Sequence, residues 1–123
     1  MRPLFAFALA ATVLTAPALA RDAKRIPDAT PDGKALSCIP LTAIRASHVR
    51  SDEVIDFEMN GGKVYRNTLP QSCPSLGFEE RFSYETSLSV LCSTDIITVL
   101  YTSPLTRGAS CGLGQFQPVK LAR

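Results

Sequence analysis

Histidine occurs once in these 123 residues, at His48, and the four cysteines, Cys38, Cys73, Cys92 and Cys111, stand 35, 19 and 19 positions apart. Zinc ribbons need closely spaced cysteine pairs and redox dithiols need a C-x-x-C step, so this spacing argues against both. Neither a metal nor a cofactor is expected. The G-x-S-x-G nucleophile elbow is missing, and Gly61-Gly62 and Gly112-x-Gly114 lack the strand-to-helix context of a phosphate-binding loop. No sign of charge dominates either: 13 Lys and Arg face 11 Asp and Glu. That balance leaves no electrostatic footprint for nucleic acid or anionic lipid. Beyond residue 20 no apolar run approaches the roughly 20 residues of a membrane-spanning helix. The best one, residues 96–101, includes Thr98 and suits one buried strand.

What the chain does have begins with an export signal. Arg2 supplies the positive start, residues 4–14 the apolar stretch, and Ala18-Leu19-Ala20 the small-x-small cleavage site. Cleavage after Ala20 leaves 103 residues, enough for one small domain, with no cysteine at the new N-terminus to carry a lipid anchor. The expected location is the periplasm or the exterior. Residues 21–34 hold four basic and three acidic residues, two prolines and only Ile26 as a large apolar side chain. Such a stretch buries too little to offset its ordering entropy, so residues 21–35 read as a mobile tail and residues 36–123 as a single β domain.

Strand signals follow. Residues 38–45 are rich in aliphatic and β-branched side chains and make the first candidate strand. Residues 46–53 are polar and turn-like. In residues 54–59, Ile55, Phe57 and Met59 alternate with Asp56 and Glu58, which places the carboxylates on the outer, solvated face. Asn60-Gly61-Gly62 then reverses the chain into a partner strand over residues 63–69. A three-residue loop sets Phe57 opposite Tyr65 and Asp56 opposite Arg66, and sends Asn67 inward as a structural hydrogen-bonding group. Residues 70–91 fit either helix or strand, through Phe78 with Phe82 or Phe82 with Tyr84. A strand over Ile96–Thr102, a loop over residues 103–108 and a last strand over residues 113–119 complete the pattern.

Five strands with an irregular connector between the third and fourth have the element order of an OB-like barrel. Spacing alone leaves all three cysteine pairings open. The barrel order selects Cys38 with Cys111 and Cys73 with Cys92, worth roughly 4 and 3 kcal/mol by loop closure. Both bridges are expected to be structural.

Cys38-Ile39, the run IDFEMNGGKVYRNTLP at residues 55–70, Cys73-Pro74, LCSTD at residues 91–95 and CGLGQF at residues 111–116 together resemble a family of small exported bacterial proteins without assigned function. The resemblance spans nearly the whole domain after residue 35. It implies a shared disulfide-bearing fold and an envelope location, and it carries no activity.

Individual residues yield little chemistry. His48 lies among Ser47, Ser51 and Asp52, but sequence neighbours rarely form a hydrolytic triad, so a solvated loop histidine is the expectation. Asp52, Glu53, Asp56 and Glu58 are read as a solvated acidic face rather than a calcium site. Most aromatic side chains are assigned to the core. These features favour a non-enzymatic envelope module that binds a protein or a cell-wall component. Two alternatives are a secreted hydrolase inhibitor that inserts residues 102–110 into a cleft, and a minimal hydrolase using His48 with a serine.

Overall fold

The computed structural model describes residues 26–122; the expected export signal, the first residues of the expected tail and Arg123 lie outside the described residues. The described residues form ten strands: β1 (Ala29–Pro31), β2 (Cys38–Pro40), β3 (Ile44–Val49), β4 (Val54–Met59), β5 (Val64–Thr68), β6 (Phe82–Tyr84), β7 (Val90–Cys92), β8 (Ile96–Thr102), β9 (Leu105–Gly112) and β10 (Phe116–Leu121). A 3-10 turn covers Leu41–Ala43, and one helical turn, α1, covers Leu76–Glu79.

The hairpin of β4 and β5 has the register expected from its side chains, with Asp56 opposite Arg66 and Phe57 opposite Tyr65. Gly61 and Gly62 both have φ of 90°, a region that side chains with a Cβ rarely enter, and this permits the reversal. Asn67 is buried as expected. Its side chain exchanges two hydrogen bonds with the backbone of Gly114, Nδ2 donating to the carbonyl at 2.7 Å and Oδ1 accepting from the amide at 2.8 Å. A Cβ on Gly114 would lie 2.2 Å from the Thr68 carbonyl oxygen, so only glycine permits this approach.

The strands form three open sheets, in the orders β1-β10-β5-β4-β3, β2-β7 and β6-β8-β9. They do not close into a barrel. Two features of the chain account for the difference. The first candidate strand breaks at the 3-10 turn after Pro40, so β2 pairs with β7 while β3 continues to β4. Residues 103–108, expected as a loop, fall largely within β9, which folds back on β8 and gives β8 a partner outside the five-stranded sheet. The core lies between the sheets. Phe57 of β4 meets Phe116 of β10 at 5.6 Å and Phe82 of β6 at 6.4 Å, both edge-on, and Ile39, Leu91, Ile97 and Val99 are fully buried around them.

The cysteine pairing differs from the barrel-based expectation. Cys38 is bonded to Cys92 and Cys73 to Cys111. The β2-β7 ladder sets Cys38 directly opposite Cys92, and β9 delivers Cys111 to Cys73, 5.9 Å away between Cα atoms. Each bridge closes a long ring, with separations of 54 and 38 residues, worth about 4 kcal/mol by chain entropy.

The segment read as a mobile tail is ordered from Ile26 onward. β1 pairs with β10, the Asp32 amide donates to the Pro118 carbonyl at 2.8 Å, and Leu36 exchanges backbone bonds with Phe116. These contacts are made by the backbone at a sheet edge. A composition argument that counts apolar burial does not register them.

Candidate binding surface

β3, β4 and β5 place His48, Asp56 and Arg66 side by side on the outer face of the five-stranded sheet. Alternation correctly assigns Asp56 to that face, but the carboxylate is not solvated: its side chain is 0% exposed. Arg66 covers it in a two-pronged contact, Nε to Oδ1 at 2.8 Å and Nη2 to Oδ2 at 3.0 Å, and Arg50 Nε adds a bond to Oδ2 at 3.0 Å. Burial pushes the Asp56 carboxyl upward in pKa, yet the hydrogen bonds and charges of Arg66 and Arg50 outweigh it and hold the group below the ordinary carboxylate value. Arg66 is raised in turn, chiefly through its bond to Asp56. Its Nη2 also donates to the Pro27 carbonyl at 2.9 Å, tying the N-terminal segment to the cluster.

Beside this cluster, Arg45 Nη2 donates to Glu58 Oε1 at 2.5 Å and lowers the Glu58 pKa. His48 is 44% exposed, with Nε2 3.8 Å from Glu58 Oε2, and no hydrogen bond joins it to a serine among the described residues. It lies on strand β3 rather than in a loop. Among the described residues no serine–histidine contact of the kind a hydrolytic triad uses is formed at His48. Among the described residues no three histidine, cysteine or carboxylate side chains converge as metal ligands.

The outer face of the β6-β8-β9 sheet is different. Ser83, Thr98 and Ser110 lie in register across the three strands, and the Thr98 and Ser110 hydroxyls share one hydrogen bond at 3.0 Å. An open cleft of about 350 Å³ runs over this face, lined in part by Ser83, Glu85, Asp95, Ile96, Thr98 and Arg107. Asp95 contributes locally as well, since its Oδ2 accepts the Cys92 amide at 2.7 Å and fixes the turn before β8. Residues 102–110 are a paired hairpin rather than a projecting loop, with Ser103-Pro104 at the reversal and Leu105 74% exposed beside it. Two further surface depressions occur. One, of about 420 Å³, lies between residues 70–74 and β9; the other, of about 710 Å³, lies where the β4-β5 turn meets the end of β10.

Sequence reasoning missed two features. Asp56 was assigned to solvent because alternation reports a face and not what covers it. Phe78 is 88% exposed on α1, apart from the core to which most aromatic side chains are assigned. The fold is therefore mainly β, built on open sheets and joined by two disulfides. No protein-family model, no curated protein and no solved structure matches the chain.

Proposed function

We propose that the protein is an exported, non-enzymatic binding module of the cell envelope, acting in the periplasm or outside the cell on a protein or cell-wall component. The observation that carries this reading is the cleft over β6, β8 and β9. It joins hydroxyls, two carboxylates, a guanidinium and the apolar Ile96 on a sheet whose strand β9 is anchored by the Cys73–Cys111 bridge. Rigid display of mixed polar and apolar groups suits recognition, because fewer rotamers are lost on binding. Two disulfides are consistent with an oxidising compartment. Among the described residues no helix is long and apolar enough to cross a membrane. The resemblance to small exported bacterial proteins belongs to the same proposal.

Replacing Arg107 with a photo-crosslinking amino acid in the exporting cell tests this reading. A discrete adduct, absent when the crosslinker replaces exposed Arg45 on the other sheet, supports it. Equal or absent labelling at both positions rejects the cleft. A second reading, inhibition of a hydrolase, is favoured by exposed Leu105 at the reversal of a bridged hairpin. Leu105→Asp should then abolish inhibition of the target enzyme, while an Arg107 change should not.

A further inference from the structure

α1 is a single helical turn held between two non-glycine residues in the left-handed region, Ser75 at φ 68° and Glu80 at φ 57°. Such conformations carry strain and persist only where the surroundings impose them. Here they do. Cys73 is bonded to Cys111, Leu76 is fully buried, and the Gly77 amide donates to Asp52 Oδ1 at 2.7 Å. A Cβ on Gly77 would stand 3.0 to 3.1 Å from Asp52 and Ser51. At the crest of this locked turn Phe78 faces solvent, 88% exposed, an apolar ring left unburied. Residues 75–81 contain Glu79, Glu80 and Arg81, one net negative charge.

The 710 Å³ depression has the complementary character. Val64, Val119 and Leu121 supply apolar walls, and Lys63, Lys120 and Asp32 give its rim one net positive charge. Lys63 is held with its Nζ 5.4 Å from the centre of the Tyr65 ring. The knob and the depression cannot meet within one molecule. The knob rests on Asp52, just before β4, and the depression begins at Gly61, just after it. The six residues of β4 separate them by about 20 Å.

We propose that the protein associates head to tail with further copies of itself, Phe78 of one molecule seating against Val64, Val119 and Leu121 of the next while Glu79 faces Lys63 and Lys120. The two surfaces are different, so the contact is heterologous and each growing chain keeps one unused knob at one end and one unused socket at the other. One aromatic anchor with a charged rim makes a small interface, and a dissociation constant on the order of 10 to 1000 µM fits that size.

Sedimentation of the exported, oxidised protein up to about 1 mM tests this. The weight-average mass should rise with concentration, and the rise should diminish as added salt screens the rim. Phe78→Ala removes the knob, and the double change Lys63→Glu with Lys120→Glu reverses the rim, both at exposed positions. Each variant alone should raise the dissociation constant at least about tenfold. Mixed together, they should give a 1:1 pair that grows no further, because only one knob and one socket remain intact. A wild type that stays monomeric overturns the proposal and leaves Phe78 to another protein. So does association that survives Phe78→Ala, or two variants that fail to complement while their melting curves match the wild type.

Discussion

The outer faces of the two larger sheets are both polar, and they use that polarity in opposite ways. On the five-stranded sheet Asp56 is enclosed by Arg50 and Arg66, and each of its oxygens is bonded. On the three-stranded sheet Ser83, Thr98 and Arg107 line an open cleft, the Thr98 and Ser110 hydroxyls bond each other and Asp95 accepts the Cys92 amide. Polar groups that saturate one another hold a fold in register, whereas those left open to solvent remain able to meet a ligand. The Asp56 cluster thus belongs to the architecture, and the open cleft of the three-stranded sheet to recognition.

The sharpest way to break this contrast is to open the closed face. Asp56→Asn removes the carboxylate that Arg50 and Arg66 share and should cost about 3 to 5 kcal/mol in chemical denaturation. The pH dependence follows in sign. The folded carboxyl lies below its unfolded value of about 3.9, so its stabilisation is complete above that value and disappears as pH falls through the folded pKa. Asp56→Asn should flatten the acid limb of the stability curve. An unchanged limb would refute the role given to this carboxylate.

Removing either bridge comes next, at about 4 kcal/mol for Cys38→Ser with Cys92→Ser or for Cys73→Ser with Cys111→Ser. Peptide mapping without reductant should recover Cys38 joined to Cys92 and Cys73 joined to Cys111; a Cys73–Cys92 peptide would restore the barrel pairing. Gly114→Ala should cost about 2 to 3 kcal/mol, because its methyl meets the Thr68 carbonyl at the Asn67 contact. Thr98→Val, on the open face, should change stability by less than about 0.5 kcal/mol and still weaken whatever the cleft binds. A large loss of stability there would erase the distinction between the two faces.

The β4-β5 hairpin was legible because local signals agree: period-two alternation, a reversal rich in glycine, and charge and aromatic pairs that fit only one register. β9 was not. Residues 103–108 read as a loop, yet Gly108 lies in the strand, where a Cβ would stand 2.5 Å from the Tyr101 ring. The cysteine pairing depended on β9 and on the break after Pro40, so it was lost with them. At the candidate surface, sequence pattern identified Asp56 as outward-facing, but Arg50 and Arg66 reach it only through the sheet's cross-strand geometry. Hydrophobicity alone does not reveal that Phe78 is exposed while Leu76, two residues earlier, takes the inward position of the same turn.

The shortness of β1 has a consequence for how the molecule survives at high concentration. Its three residues end in Pro31, which has no amide hydrogen to offer an incoming strand, and they occupy the flank of β10 that would otherwise accept one. Trimming the chain to residue 36 would bare that flank and convert a guarded sheet margin into a template for intermolecular β-pairing and fibril growth.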